Sequence, residues 1–180
     1  EGGLTYQLDE KVNTIGRRFF DTPGLADRKL RKEAGEAITR ALKKGGDYKI
    51  LFFLRTEAGR AVVEDITTFK LVLDSAPEIG NQYGIVINKV SPKMAKIFSN
   101  TEKKEAFLTN IFANLDPQRH CNPSNITFLP INSEIEDEDD KLIPLEELKT
   151  IDGKCFKNYI CQNMSTVRLT EDKANDIAVS

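Results

Sequence analysis

Along the chain, short runs of apolar, branched or aromatic residues alternate with stretches in which apolar residues recur every three or four positions. That pattern predicts β-strands joined by helices. Continuous runs at Lys49 to Leu54, Tyr83 to Asn88 and Ile126 to Pro130 read as strands buried on both faces of a sheet. Two weaker segments, Leu4 to Leu8 and Gly16 to Asp21, flank the polar stretch Asp9 to Asn13, which reads as the turn of an antiparallel hairpin at one sheet edge. The expected fold class is therefore α/β: a mostly parallel sheet with helices on both faces and an antiparallel edge hairpin.

Helical spacing is clearest between Ala26 and Lys44, where Leu30, Ala34, Ala37, Ile38, Ala41 and Leu42 form one stripe and Gly45-Gly46 supplies a stop. A second helix is expected from Val62 to Ala76, ended by Pro77, and a third from Glu102 to Leu115. Leu145 to Met164 reads as mostly helical, with Gly153 weakening its centre. Residues 1–164 are expected to form one domain and residues 165–180 a tail, with a short helix from Thr170 capped by its hydroxyl.

Composition narrows the class. With 180 residues, 39% hydrophobic, the chain is long enough to build a core without disulfides. Its 26 Lys and Arg against 28 Asp and Glu speak against a general nucleic-acid binder, whose affinity rests on excess cations. No apolar run approaches the roughly 20 residues of a membrane span, and no signal segment opens the chain. Cys121, Cys155 and Cys161 lack CxxC spacing and cannot all pair, so free thiols in a reducing, cytoplasmic setting are expected. The acidic run Glu134 to Asp140 reads first as a solvated loop, with a cation or basic partner as the alternative. His120, the only histidine, stands beside Cys121, but two ligands do not make a zinc site.

The strongest chemical signal is Phe19-Phe20-Asp21-Thr22-Pro23-Gly24, an apolar strand ending in a carboxylate and a turn. Ligands of open parallel sheets bind beyond the carboxyl ends of the strands, so Asp21 stands where a nucleotide or its metal would lie. Asp-x-Pro-Gly alone is also an ordinary turn. Two further strands end in the same way, one in Asn88-Lys89 and one in Pro130-Ile131-Asn132-Ser133, so that three polar strand ends are expected to meet at one crevice.

In these residues the sequence resembles a translation-factor-class P-loop GTPase, and most closely the immunity-associated (avirulence-induced type) GTPase family. Asp21-Thr22-Pro23-Gly24 matches the DxxG motif, and Asn88-Lys89 the first half of NKxD. Ile50 to Leu54, Ala58-Gly59-Arg60 and Glu64-Asp65 are similar to a family box between those motifs, and Asn132 to an asparagine of the base-side loop. The resemblance, over Leu4 to Ser133, implies GTP or GDP as ligand and Mg2+ as cofactor. It implies Asp21 near the metal, Thr22 and Gly24 on the phosphate side, and Asn88, Lys89, Ser91 and Asn132 around the base. Thr5 is the candidate switch threonine reaching magnesium, with Thr14 second, although either also reads as a strand threonine.

The departures shape the expectation. No GxxxxGK[ST] occurs, so the loop that cradles phosphates is missing together with its strand and helix, a unit of about 30 residues. The chain, which opens at Glu1, therefore reads as an N-terminally truncated P-loop GTPase-like domain. It is expected to be inactive alone and, when complete, to hydrolyse GTP to GDP. Ser91 stands where an aspartate normally accepts from guanine, a loss worth roughly ten- to a hundredfold in base preference. Leu25 follows Gly24 where some GTPases carry a water-orienting glutamine. Slow turnover is expected, helped by an activating protein or a second copy of the chain. Arg60, opening the second helix, is a weaker candidate for the transition-state charge. The rival class is a non-catalytic pseudo-GTPase acting through its surfaces.

Overall fold

The computed structural model describes residues 9–12, 18–21, 25, 31–131 and 144–177, which fall into two units. The first contains residues 1–48, 63–79 and 168–180; the second contains residues 49–62 and 80–167.

In the first unit, β1 (Asp9–Val12) pairs antiparallel with β2 (Arg18–Asp21), Asp9 opposite Asp21. Residues 9–12 are thus strand, where the sequence pattern predicts a turn. DEKV carries no apolar alternation to announce it, because backbone pairing with β2 makes the strand. The predicted strand Leu4 to Leu8 lies outside the described residues.

Helix α1 (Arg31–Lys43) buries Ala34, Ala37, Ile38, Ala41 and Leu42, the stripe expected from their spacing. It stops at Gly45, whose φ is +67° and whose missing Cβ would lie 2.8 Å from the Glu171 nitrogen. A short strand, β3 (Gly46–Tyr48), follows and pairs with β8 (Val167–Leu169). Helix α2 (Val63–Ser75) buries Phe69, Val72 and Leu73 and ends before Pro77.

The second unit holds a four-stranded sheet in the order β5-β4-β6-β7, formed by β4 (Leu51–Glu57), β5 (Arg60–Ala61), β6 (Gly84–Val90) and β7 (Ile126–Pro130). Strands β4, β6 and β7 are parallel; β5 is antiparallel to β4. The architecture is thus α/β with a mixed, mostly parallel sheet. Strand β6 is central, and its run Gly84 to Ile87 is fully buried, as a continuous apolar strand requires.

Both faces of this sheet carry helical cover. On one, Phe128 packs against Phe98 of α3 (Pro92–Phe98), ring centroids 4.7 Å apart, and Lys104 of α4 (Thr101–Ile111) sits over its ring. On the other, Val86 and Leu129 cluster with Phe156, Tyr159 and Met164, with Leu51, Leu148 and Ile160 packed around them.

Helix formation is narrower than expected at the C-terminal end. Within Leu145 to Met164 only Phe156–Asn158 and the π-helical turn Tyr159–Asn163 are helical. Ahead of them, Lys149 bridges Cys155, and Thr150 Oγ1 accepts the Lys154 N–H and donates to Asp152, closing a loop about Gly153. The expected helix from Thr170 is also absent among the described residues, where the stretch from 170 to 177 is turn and irregular backbone and Thr170 donates both its N–H and its hydroxyl to the Glu78 carboxylate. Arg60 lies in β5 and does not open α2.

Candidate functional site

Three of the anticipated residues can be built from the second unit. Strand β6 ends at Asn88-Lys89-Val90, between the carboxyl ends of β4 and β7. Its register with β7 slips there: Ile87 faces Phe128, but Val90 faces Pro130, so β6 carries one extra residue. Lys89 absorbs the bulge in the left-handed region, with φ of +54°, an uncommon state for a residue with a Cβ. The Asn88 Oδ1 accepts the Lys89 N–H at 2.9 Å and so holds the kink. The Lys89 side chain is exposed and Asn88 half-buried.

Ser91 begins α3. Its Oγ accepts the Met94 N–H at 3.2 Å, and Pro92 occupies the first helical position, where a missing N–H costs nothing. The serine in place of aspartate is therefore engaged as a helix cap. Its hydroxyl proton remains available as a donor, whereas one lone pair is spent.

Arg55 joins this group and was not singled out by the sequence motifs. In the parallel register it is the Cα partner of Asn88, so both side chains leave the same face of the sheet. The signal was present: Arg55 follows the apolar run Ile50 to Leu54 just as Asn88 follows its own. The same face carries Phe53, 50% exposed, one pleat behind Arg55 and paired with Val86.

The remaining candidates divide between the first unit and the undescribed residues. Asp21 is the last residue of β2, in the first unit. Thr22, Gly24, Asn132, Thr5 and Thr14 lie outside the described residues. Leu25 is 4% exposed and its carbonyl accepts from Arg31 Nε at 2.8 Å, so its side chain serves the core. Among the described residues no group of three or more His, Cys, Asp or Glu could hold a metal ion, and no helix is long and apolar enough to cross a membrane.

His120 has a structural place: its ring stacks on Phe112 at 4.6 Å, and Nε2 lies 3.0 Å from the Leu115 carbonyl. All three cysteines are free. Burial pushes the Cys121 thiol up to about 12, and burial likewise raises the neighbouring Tyr83 hydroxyl, which donates to the Arg119 carbonyl at 2.7 Å and accepts the Cys121 N–H. That network packs a loop against the amino end of β6 and disfavours the thiolate of Cys121.

No protein-family model, curated protein or solved structure matches the chain.

Proposed function

We infer that the chain is the guanine-nucleotide-binding part of a GTPase-type molecular switch, of P-loop type and lacking its phosphate loop. The observation that carries this reading is the kinked carboxyl end of β6. A strained, exposed lysine is fixed by the preceding asparagine at the end of a central parallel strand, and a serine starts the next helix two residues on. Bulges and left-handed residues gather where a side chain must be aimed at a ligand. The carboxyl ends of parallel strands are where ligands of open α/β sheets lie.

In this reading Asn88, Lys89, Ser91 and Asn132 serve the base, and Asp21, Thr22 and Gly24 the phosphates. Asp21 and Thr5 would hold Mg2+, whose chemistry when bound is to neutralise charge on the phosphoryl oxygens. The chain's own residues orient the nucleotide; with Leu25 in the core, turnover waits on an activating protein or a second copy. The immunity-associated GTPase family is the closest description, and the cytoplasm the expected compartment.

The second reading, a non-catalytic pseudo-GTPase, draws on one observation: Ser91 spends one lone pair of its single side-chain oxygen on capping α3 and has neither the charge nor the second oxygen of a carboxylate that accepts from two guanine nitrogens. Thermal unfolding with GTP, GDP, ATP and Mg2+ separates the two, run on this chain and, where its gene encodes residues ahead of Glu1, on the longer chain. A ligand that binds only the folded state raises the melting temperature according to its concentration over Kd. A rise with GTP and GDP supports the switch; no rise in either chain overturns it.

A further inference from the structure

The first unit carries a latch at Thr170. Its N–H and its hydroxyl both donate to the Glu78 carboxylate, at 2.9 and 2.6 Å. Other exposed hydroxyls spend their proton on the backbone, as Thr67 does on the Val63 carbonyl and Ser99 on the Lys96 carbonyl. Thr150 also donates to a carboxylate, that of Asp152, but Thr150 is buried. Thr170 thus joins two properties, an exposed hydroxyl and a carboxylate acceptor. Beyond it, Asp172, Asn175 and Ile177 give their N–H groups to the Lys43 carbonyl, the Ser75 carbonyl and the Thr39 hydroxyl, and Ala174 and Ile177 are buried.

Charge around the latch is already negative. Two cations stand beside it, Lys173 at 3.8 Å from Glu78 and Arg168, which pairs with Asp47 at 3.2 Å. Against them are four acids: Glu78, Asp47 and the two residues that follow the threonine, Glu171 and Asp172. A phosphoryl group on Thr170 Oγ1 adds a charge of about −1.5 to −2 at pH 7 and puts acceptor oxygens where the hydroxyl donor was. Set against a carboxylate, such a group repels where the hydroxyl bound. Residues 170–173 are all exposed, and 171 and 172 form a turn. Acids directly after an acceptor hydroxyl are a charge pattern that a kinase with a basic substrate groove selects.

We propose that Thr170 is a phosphorylation site for an acidic-directed protein kinase, and that the phosphate releases residues 170–177 from the ends of α1 and α2. In the transfer the γ-phosphorus of ATP bonds to Oγ1 and its bond to the β,γ-bridging oxygen breaks. ADP leaves, and the hydroxyl proton passes to the kinase's catalytic base. The closed latch and the phosphate exclude each other, so the linkage runs both ways: whatever opens the latch frees the acceptor, and the phosphate once attached keeps the latch open. The site lies wholly in the first unit and does not depend on the nucleotide reading.

The test treats the chain, Thr170→Val and Glu78→Ala alike with a Ser/Thr kinase of the acidic-directed, casein-kinase type, ATP and Mg2+, and maps phosphopeptides by mass spectrometry. Circular dichroism checks that the variants are folded. Phosphate is expected on Thr170, and at least threefold faster in Glu78→Ala, where the hydroxyl has lost its acceptor. Amide exchange of the phosphorylated chain should be at least tenfold faster in the last turns of α1 and α2 and unchanged in β6, which separates release of the segment from unfolding. Thr170→Val should show no kinase-dependent change, so that phosphate on another residue is not the cause. In Glu78→Ala the phosphate should add little to exchange that is already fast, because the opposed carboxylate is gone. No phosphate on Thr170 in either the unaltered chain or Glu78→Ala overturns the site. Exchange at the ends of α1 and α2 that is unchanged or slower after phosphorylation overturns the release, since Lys173 and Arg168 would then be holding the phosphate in a closed latch.

Discussion

At the scale of single residues, Gly84 shows how closely the second unit is packed. A Cβ at this position would stand 2.5 Å from the Tyr159 hydroxyl and 3.2 Å from both the Asn125 carbonyl and a Leu51 methyl. The hydroxyl is not free to retreat, because it donates to that same carbonyl at 2.5 Å. Gly84→Ala should therefore destabilise by about 1–3 kcal/mol, the usual range for overpacking a filled core. Adding Tyr159→Phe removes the obstructing oxygen, so the double variant should lose less than the two single losses added together, as urea unfolding of all four proteins would reveal. Cysteine chemistry offers a second check. Burial raises the Cys121 thiol to about 12, so almost no thiolate forms at pH 8, whereas Cys161 is exposed. Alkylation at pH 8 followed by peptide mass spectrometry should label Cys161 readily and Cys121 only after denaturation; equal labelling in the native state would contradict the packing.

At the scale of elements, the β4–β5 hairpin turns on two residues, Ala58 and Gly59, with φ of +47° and +81°. Positive φ at both central positions marks the type I′ turn, which matches strand twist and favours Asn-Gly. Alanine is a poor choice there, since its Cβ crowds the following carbonyl at a penalty of about 1–2 kcal/mol. Ala58→Asn should raise stability by roughly 0.5–1 kcal/mol, less than the whole penalty because asparagine keeps part of it. A denaturation midpoint that stays put or falls would refute that account of the turn. How far the elements were legible in the sequence follows the same local logic. Strand β7 was placed residue for residue, and β6 nearly so, because burial on both faces writes an uninterrupted apolar run. Helices α1 and α2 were legible from their stripes and stops. The region from Leu145 to Met164 misled because Leu148, Phe156, Tyr159 and Ile160 do reach one cluster, yet they do so from a loop and two short turns. Apolar spacing recorded their burial and not their backbone. Strands β1 and β5 left no pattern, since backbone pairing with β2 and a two-residue turn make them. Within the site, Asn88, Lys89 and Ser91 were visible as a motif; the kink at Lys89 was not, because a register slip depends on the neighbouring strand.

At the scale of the whole molecule, the chain passes between its two units four times, and the first unit is assembled from three separate stretches of sequence. Its last stretch is a tie as well as a tail. The Asp172 N–H donates to the Lys43 carbonyl at the end of α1, the Asn175 N–H to the Ser75 carbonyl at the end of α2, and the Ile177 N–H to the Thr39 hydroxyl. Helix C-termini leave carbonyls without intrahelical partners, and here a distant segment supplies the donors. Removal of residues 168–180 should therefore speed amide exchange in the last turns of α1 and α2; unchanged exchange there would show that the tie is dispensable. The segment is anchored by Glu78, whose carboxylate accepts both the hydroxyl and the N–H of Thr170, with Lys173 at 3.8 Å. Those hydrogen bonds, the hydroxyl's first, hold the carboxyl below its ordinary value of 4.5. A group depressed on folding contributes stability that is present above its unfolded value and is lost as pH falls through its folded one. The melting temperature of the wild-type chain should thus exceed that of Glu78→Gln at pH 7, and the gap should close as the pH is lowered below about 4.5. A gap that widens in acid would mean that the tail is held by something other than this carboxylate.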